Sequence, residues 1–437
     1  MPNLQRSALP DLRDFATHAP LVRKAASLLE LTRAAAARAR RSNFEALGAV
    51  LKAARLAYPI LEGSPMDRIL GEALRSMPLS LDDLAAFPQT ARPVVENGIL
   101  LKAPHGDERG VLLVTFEDQW LRILRHADLD ALADDYHLVL SPTWSPPYDL
   151  PMAAAASLWP GERIFTLLSN FADREAFARF SPKLRPVPLL ASSWVDPEVF
   201  AAGAAAKEFD VVMVANFSPY KRHGALFAVL RALRRIGRKP RVLLAGVPWQ
   251  GRTADTLREL ATAYGVADQI EVRVNLGDEQ LRDAIRSARV ALIFSLIEGS
   301  CVAAAECLML DVPLGMLATA HIGSKAFVNE QTGRLLRPDP RGAAEDLARF
   351  LDDADTFRPR QWMIDNGVTY ASSTRVLDDA IREEVQRSGE RWTAGIVEHR
   401  HVRLRPRYAR PEIGERFARL YDEFPARYGI ALQVDAG

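Results

Sequence analysis

Two glutamates with seven residues between them, Glu298 and Glu306, bracket a segment whose residue types could bind an anion. An apolar run predicts a strand just before Glu298, and Gly299 permits a tight turn after it. Ser300 is a good N-cap, so we expect a helix to start at about Cys301. Free N–H groups at that helix start, with the helix dipole behind them, would favour a phosphate.

The ligand that fits this turn depends on what the helix start and the two carboxylates can hold together. The free N–H groups would belong to Cys301, Val302 and Ala303. Glu306 would lie in the second helical turn, about 9 Å along the axis from the N-cap, and Glu298 would lie on the other side of the anion. Carboxylates accept hydrogen bonds from hydroxyls, so the pattern fits a diphosphate with a hydroxylated sugar at each end.

A second loop supplies the positive charge that a diphosphate needs. A predicted strand over 209–215 leads directly into Asn216, and Pro219 shapes the turn that follows. Lys221 and Arg222 then project beside the start of the next predicted helix, where they could neutralise phosphate oxygens. Each loop alone is a weak signal, and only their joint placement at the ends of strands in one sheet makes a binding site.

Short apolar strands alternate with helices from about residue 110 onward, which predicts mostly parallel sheets covered on both faces. The predicted strands form two series, 111–116, 136–140, 163–168 and 184–190, followed by 209–215, 241–245, 270–274 and 290–295. An Ala-rich linker at 201–207 separates the two series. We therefore expect an α/β protein with two Rossmann-like, doubly wound domains facing a cleft, and ligands at the carboxyl ends of the strands.

The domain boundaries follow from these two series. Residues 1–105 read mostly as helix and are expected to form a helical N-terminal extension. The first Rossmann-like domain would occupy 106–205 and the second 206–390. Residues 391–437 would be a tail that packs back on the first domain.

Composition excludes several classes of protein. The chain has 437 residues, of which 48% are hydrophobic and 25% charged, so it is an ordinary globular protein of two or three domains. Its 56 Lys+Arg and 55 Asp+Glu give no general attraction to nucleic acid. The two cysteines, Cys301 and Cys307, exclude a disulfide scaffold or zinc module and indicate a reducing compartment. No apolar run reaches the roughly 20 residues of a membrane span, and no signal-peptide core is recognisable, so we expect a cytoplasmic protein.

Local charge differs from the neutral total in one helical stretch. Residues 20–58 carry eight Lys and Arg residues against two glutamates. This local charge fits two interpretations. The stretch is either a solvated helix face or a basic amphipathic surface that lies on an anionic membrane, at its inner face.

The two loops together resemble a known family. The segment Glu298–Glu306 resembles the paired-glutamate motif of glycosyltransferase family 4, whose members are retaining enzymes of the GT-B fold. The Asn216–Lys221 loop is similar to that family's donor-phosphate loop, with Lys221 at the position of the family's lysine. The resemblance covers about 185–340 well and extends in part over 110–185.

The resemblance implies a role for each site residue. Lys221 would bind the donor diphosphate, Glu306 the ribose hydroxyls, and Glu298 the sugar hydroxyls near the reacting carbon, with Glu298 positioning the sugar rather than attacking it. The first domain would bind the acceptor and the second the UDP- or GDP-linked donor, with no metal and no further cofactor. The residues implied at the donor are Asn216, Lys221, Arg222, Gly299, Ser300, Cys301, Val302 and Glu306.

The chain also departs from the family's pattern. Asn216 stands where the family usually has an arginine, and His321–Lys325 replaces the family's Gly-Gly-x-x-Glu turn. No histidine occupies the family's usual acceptor position in the first domain. On the acceptor side, Asp118, Trp120 and Trp144 are candidates because they follow predicted strand ends.

The function predicted on this basis is transfer of a hexosyl group, with retention, from a nucleotide-diphosphate sugar to an acceptor that is a glycan, a lipid or a protein. Asn216 and the missing histidine motivate one alternative, a non-catalytic scaffold of GT-B fold that binds nucleotide sugars. A nucleotide-sugar epimerase of GT-B fold is the other alternative.

Overall fold

A computed structural model of the protein describes residues 19–87, 91–203, 205–400 and 408–433. The chain divides into two compact units, of which the first comprises residues 20–194 and 370–433 and the second residues 195–369. The chain therefore returns to the first unit at Tyr370, although the sequence predicted that the second domain would run to residue 390. The cleft expected between the domains stays a prediction.

The first unit begins with three helices, α1 (Pro20–Ala39), α2 (Asn43–Ala57) and α3 (Pro65–Ser76). Helix α3 has a complete start signal, because the Ser64 hydroxyl accepts the Asp67 N–H at 3.2 Å and Pro65 occupies the first turn. This confirms the predicted helical N-terminal region.

The extension predicted over 1–105 is nevertheless not helical throughout. Strands β1 (Val94–Val95) and β2 (Gly98–Lys102) lie inside it. All five residues of β2 are buried, and a run of five is too short for a helical period to show. Strand β2 therefore belongs to the first sheet rather than to a separate cap.

The first sheet contains five strands. After β2 come β3 (Gly110–Thr115), β4 (Tyr136–Ser141), β5 (Ile164–Leu168) and β6 (Leu184–Leu190). Strand β2 is antiparallel to β3, and the other pairs are parallel. The helices between them are α4 (Glu117–His126), α5 (Leu129–Asp135), α6 (Leu150–Leu158) and α7 (Arg174–Phe180). Within the described residues the spatial order of the strands, β2-β3-β4-β5-β6, follows the chain without a reversal.

The second unit contains a fully parallel sheet of six strands. These are β7 (Phe209–Val214), β8 (Val242–Gly246), β9 (Ile270–Val274), β10 (Ala288–Ile293), β11 (Leu314–Leu317) and β12 (Gly333–Leu336). The helices are α8 (His223–Arg235), α9 (Ala254–Tyr264), α10 (Asp278–Arg286), α11 (Val302–Met309), α12 (Pro340–Asp352) and α13 (Pro359–Asp365).

The strand order of this second sheet is β12-β11-β10-β7-β8-β9. Within this sheet β7 comes first in the chain, and β8 and β9 follow on one side of it. The chain then crosses to the other side of β7, where β10, β11 and β12 follow. The point between β7 and β10 is therefore the topological switch point, where parallel sheets bind their ligands.

The chain then returns to the first unit through α14 (Tyr370–Arg387), α15 (Pro411–Tyr428) and β13 (Ala431–Leu432). Strand β13 pairs in parallel with β1. The Val397 N–H donates to the Leu101 carbonyl at 2.7 Å, and the Tyr408 hydroxyl donates to the Leu100 carbonyl at 2.7 Å. Residues 391–400 and 408–433 thus contact strands of the first sheet; 401–407 and 434–437 of the predicted tail lie outside the described residues.

The two units together confirm the α/β architecture with parallel sheets. Among the residues that the structure describes, no helix is both long enough and apolar enough to cross a bilayer.

Candidate active site

Two loops flank the switch point of the second sheet. One runs from the end of β7 to the start of α8, and the other from the end of β10 to the start of α11. Because β7 and β10 are parallel neighbours, these loops emerge side by side at the carboxyl edge. They are the two loops in which the sequence predicted binding residues.

The structure brings Lys221 and Glu298 together. Lys221 ends the 3₁₀ turn Pro219–Lys221, and its ammonium nitrogen lies 2.6 Å from the Glu298 carboxylate. The Glu298 N–H is held at 3.1 Å by the carbonyl of His321, which follows β11. Both side chains are largely buried, so the pair has a fixed position at the sheet edge.

The charge state of Lys221 follows from these surroundings. Burial by itself would lower the pKa of the Lys221 ammonium, but the Glu298 carboxylate acts more strongly and the net pKa lies above its usual value. Lys221 is therefore a permanent cation at the switch point. Burial, followed by the charge of Glu298, raises the pKa of the neighbouring Cys301 thiol to about 12, so this thiol stays protonated and is not a nucleophile.

Helix α11 begins one residue later than predicted, and Ser300 is not its N-cap. Cys301 takes that place with a left-handed backbone (φ 53°), and the chain also bends at Gly299 and Ser300 just before it, where a turn was expected. Left-handed backbone at a non-glycine residue costs energy and clusters at functional sites. Within the described residues no acceptor takes the N–H groups of Cys301, Val302 or Ala303, so all three remain for an anion.

The loop after β7 differs from the prediction at two of its polar residues. The Asn216 side-chain oxygen accepts the Ser218 N–H at 3.2 Å and the Ser218 hydroxyl at 2.7 Å, so Asn216 shapes the turn. Arg222 was predicted to project toward a phosphate. It is instead buried, has a left-handed backbone (φ 58°), and donates to the Phe294 carbonyl at 3.3 Å. Arg222 therefore ties the two loops together from within.

Glu306 lies in the second turn of α11, where the spacing of the two glutamates predicts it. Its side chain is 2% exposed, as is typical of a carboxylate that belongs to a built site rather than to a solvated helix face. Cys307 beside it is a buried thiol without a disulfide, and burial is the main cause that raises its pKa.

Three further residues at this edge were missed by sequence reasoning. The hydroxyls of Ser295 and Ser324 and both ring nitrogens of His223 are buried, and within the described residues they have no hydrogen-bond partner. The Ser324 N–H donates to the Ser300 carbonyl at 3.2 Å, which places Ser324 beside the start of α11. Buried polar groups are nearly always paired, so unpaired ones at the switch point of a sheet favour binding of a polar ligand there.

The sequence distinguishes these residues only in part from other polar residues. Ser295 is the polar residue that directly follows an apolar strand. Ser324 lies in the segment His321–Lys325, which the sequence distinguished only as a departure from a family motif. Burial lowers the pKa of His223 to about 3, with smaller contributions from the charges of Arg252 and Lys221, so its ring is neutral.

An apolar cavity of about 220 Å³ lies nearby, between α8 and α12. Arg222, Tyr264 and Leu317 line it, whereas Lys221, Glu298 and Glu306 do not. We place the candidate site at the loops and not in this cavity, because the charged and unpaired groups lie at the loops. Within the described ranges no group of three or more His, Cys, Asp or Glu residues is arranged to hold a metal ion.

The acceptor-side candidates of the first unit differ among themselves. Trp120 is 1% exposed and belongs to the core face of α4, so it has no surface to offer to an acceptor and the prediction is wrong for it. Asp118 lies in the first turn of α4 and accepts a hydrogen bond from the Gln119 amide at 2.7 Å. Trp144 follows β4 and is 40% exposed. Asp118 and Trp144 therefore stay candidates.

Comparisons with solved structures give distant similarities. The chain is similar to the pneumococcal O-GlcNAc transferase GtfA (15% identity, 63% of this chain and 56% of that one, TM-score 0.46). It is similar to TarM of S. aureus (12% identity, 57% and 50%, TM-score 0.46) and to sucrose-phosphate synthase of Thermosynechococcus elongatus (15% identity, 76% and 83%, TM-score 0.48). The match spans about half the length of the first two proteins.

A family model gives the more specific result. No curated protein matches the chain in a sequence search. Residues 196–368 match the family model described as "Glycosyl transferases group 1". This match coincides with the second unit, residues 195–369, and contains both loops of the candidate site. The second unit is therefore the part of the chain that is similar to the glycosyl transferases of group 1.

Proposed function

We propose that this protein is a retaining glycosyltransferase of the family 4 type. It would transfer a hexosyl group from a UDP- or GDP-linked donor to an acceptor that is a glycan, a lipid or a protein. The observation that carries the proposal is the buried Lys221–Glu298 pair at the switch point of the second unit, beside three N–H groups at the start of α11 that have no acceptor among the described residues. A cation, a helix start and a carboxylate are the groups that a sugar diphosphate needs.

Donor binding would rearrange this pair. With the site empty, the Lys221 ammonium has the Glu298 carboxylate as its counter-ion. An incoming diphosphate supplies more negative charge, so Lys221 would turn to the phosphate oxygens. Glu298 would then be free to accept hydrogen bonds from the hydroxyls of the transferred sugar, and Glu306 from those of the ribose.

The chemical step would depend mainly on stabilising the leaving nucleotide diphosphate. Negative charge grows on its distal phosphate as the glycosidic bond to the sugar breaks. Once donor binding has turned Lys221 to the phosphates, this ammonium and the N–H groups of Cys301, Val302 and Ala303 would face that charge, so the bond-breaking step itself would need little reorganisation. These groups would make a metal unnecessary, and metal independence is part of the proposal. Glu298 acts in it as a positioning residue.

The acceptor side and the location of the protein complete the proposal. We assign acceptor binding to the first unit, with Asp118 and Trp144 as the candidate contacts. We place the protein in the cytoplasm because both cysteines are thiols without a disulfide partner.

Thermal unfolding with a panel of nucleotides is the first experiment. UDP, GDP and ADP, each alone and sugar-linked, are added to the full chain, and the largest rise in Tm identifies the donor class. Release of nucleotide from the sugar-linked form is then measured. We expect turnover in the wild type and a loss of about 100-fold or more in Glu298→Ala and in Glu306→Ala. Glu259→Ala, at an exposed glutamate of α9, is the matched control.

The same measurements separate the alternatives. A nucleotide that raises Tm without any release or transfer would favour the non-catalytic scaffold. Isomerised sugar as the product would favour the epimerase. Normal turnover in both glutamate variants would contradict the site, and inversion at the anomeric carbon of the product would contradict retention.

A further inference from the structure

Helix α1 presents an apolar face to the outside of the first unit. Its large exposed side chains are Leu21 (80% exposed), Val22 (41%), Leu28 (65%) and Leu29 (53%). Ala25, Thr32, Ala36 and Ala39 are also exposed. Residues 21, 25, 28, 32 and 39 lie almost in line along a helix, so the face runs the length of α1, about 30 Å. We call these exposed residues the outer face of α1.

The opposite face of α1 holds the helix against α2. Ala34 and Ala37 are buried there, and the Ser27 hydroxyl donates to the Ala53 carbonyl at 2.9 Å. The outer face is therefore not needed for packing of the hairpin. A helix that is apolar on its inner face and on its outer face has a second surface to bury.

The charges around the outer face are positive. The one acid of α1 is Glu30, which is buried and paired with Arg33 at 2.7 Å and with Lys52 at 2.8 Å. Lys24 and Arg38 are exposed, and in the described part of the chain neither has an ion-pair partner. Cations thus flank an apolar strip that carries no exposed acid.

We propose that the outer face of α1 docks on the surface of an anionic lipid bilayer. Leucine and valine side chains would enter the boundary between headgroups and acyl chains, while Lys24 and Arg38 would meet lipid phosphates. The interaction surface lies in the first unit and needs no glycosyl transfer, so it goes beyond the proposed function.

Two other occupants fit the charges less well. A second copy of this chain would bring the same cations face to face in a twofold contact, where they repel. Residues 1–18 carry two arginines and two aspartates, so they have no excess negative charge to complement the cations. An anionic bilayer supplies both the apolar layer and the negative charge.

Vesicle flotation of the full chain tests the proposal. One set of vesicles is phosphatidylcholine alone, and the other contains about one-third phosphatidylglycerol. We expect the chain to float with the anionic vesicles, to stay behind with the neutral ones, and to dissociate as salt is added. Failure to bind either set, or equal binding to both, would overturn the proposal.

Variants show whether α1 is the surface. Leu21→Glu with Leu28→Glu should lower the partition coefficient by about tenfold or more. Lys24→Gln with Arg38→Gln should lower it by about fivefold per cation removed. Ile236→Glu, at an exposed residue of the second unit (56% exposed), is the matched control and should change nothing.

Tm, flotation and the oligomeric state in solution together distinguish loss of docking from loss of folding. All four side chains to be replaced in α1 are exposed, so Tm should stay within a few degrees of the wild type. Unchanged flotation of the leucine variant would contradict docking through α1. A dimer in solution that the leucine variant abolishes, without flotation of the wild type, would identify a second copy as the occupant and overturn the proposal. Donor-induced Tm shifts measured in parallel report on the proposed function independently.

Discussion

Both units of the protein bury a lysine–glutamate pair, and the two pairs are built differently. In the first unit, Lys102 pairs with Glu108, and the two side chains are 6% and 3% exposed. Glu108 also accepts the Thr393 N–H at 2.8 Å and the Thr393 hydroxyl at 2.6 Å, while Lys102 lies 3.5 Å from the centroid of the Trp392 ring. Burial would raise the pKa of Glu108, but Lys102 and Thr393 outweigh it and hold this pKa at about 2.

In the second unit, the lysine–glutamate pair has neighbouring polar groups that lack hydrogen-bond partners in the described part of the chain. Lys221 and Glu298 contact each other at 2.6 Å, yet N–H groups and hydroxyls beside them have no partner among the described residues. A buried polar network that is fully satisfied stabilises one structure. A pair that leaves capacity for more hydrogen bonds, at a switch point, supports the ligand site that we propose there.

The two sheets also differ in strand order and in how far the polar groups at their carboxyl edges are paired within the chain. The second sheet reverses its strand order between β7 and β10, which separates the connections on either side and opens a crevice. At the carboxyl edge of the first sheet, Glu117 accepts the Thr143 N–H at 2.8 Å and its hydroxyl at 2.6 Å. Asp149 accepts the Met152 N–H at 2.9 Å and an Arg55 N–H at 3.1 Å. These carboxylates are occupied by the chain itself.

The largest effect on stability is expected at the Lys102–Glu108 pair of the first unit. Lys102→Met leaves the Glu108 carboxylate buried without its counter-ion and should lower the free energy of unfolding by about 3–5 kcal/mol. Lys221→Met should lower it by less than about half of that, because the side chains of Lys221 and Glu298 are more exposed (16% and 10%) than those of Lys102 and Glu108 (6% and 3%). Urea unfolding of both variants measures the difference, and equal losses would remove the distinction between the two pairs.

The second prediction concerns turnover, for which we expect the larger loss in the second unit and not in the first. Lys221→Met should lower turnover by about 10²–10³-fold, because the leaving diphosphate loses its cation. Lys102→Met, assayed at a temperature where it is folded, should keep turnover within a few-fold of the wild type. Nucleotide release per folded molecule is the readout, and a Lys221→Met enzyme of normal turnover would contradict the proposed role of the lysine.

The third prediction concerns two buried histidines, His137 in the first unit and His223 in the second. Burial is the largest cause that lowers the pKa of each to about 3. An unfolded histidine has a pKa near 6.5, so below that pH the unfolded chain takes up protons that the native one does not. Their contribution to stability is full above pH 6.5 and declines as pH falls toward 3.

The decline should reach about 2 kcal/mol per histidine at pH 5. Replacing either residue by asparagine should flatten the dependence of unfolding free energy on pH between 6.5 and 5 by that amount. Burial and Glu117 raise the pKa of Asp149, which gives an opposite slope, but this slope is common to all variants and cancels in the difference. An unchanged slope in a variant would show that its histidine is not buried as a neutral ring.

The smallest expected effects concern single hydroxyls. Ser145 donates to the Asp173 carboxylate at 2.9 Å, so Ser145→Ala should cost about 1.5 kcal/mol of stability. Ser324 has no partner in the described chain, so Ser324→Ala should leave stability unchanged or raise it by up to about 1 kcal/mol. The same change should weaken donor binding a few-fold. Tm and donor affinity of both variants check this, and a destabilised Ser324→Ala would show that its hydroxyl is already paired.

The sequence allowed the two loops of the site to be predicted because strand periodicity and parallel order place them at one edge. Lys221 and Glu298 were identified from their positions after β7 and β10, and the structure joins them. Gly299 and Ser300 were assigned the turn and the cap from residue preference. The chain bends at Gly299 as expected, but the cap lies at Cys301, because the surrounding fold overrides local preference there.

Other features depend on long-range packing that a sequence pattern does not contain. Arg222 reads as an exposed cation, yet its left-handed backbone turns the guanidinium toward the Phe294 carbonyl. Trp120 follows a strand end but faces the core. The absence of a partner for Ser295, Ser324 or His223 becomes visible only when all neighbours of the described chain are in place.

Hydrogen–deuterium exchange with and without the nucleotide that gives the largest rise in Tm tests whether the donor binds at the two loops of the second unit. We expect slower exchange in residues 216–224, 295–303 and 321–325, above all at the amides of Cys301, Val302 and Ala303, which have no acceptor in the described chain. We expect no change at the carboxyl edge of the first sheet, residues 115–120 and 141–149. Protection confined to the first unit, or no nucleotide binding at all, would contradict this binding site.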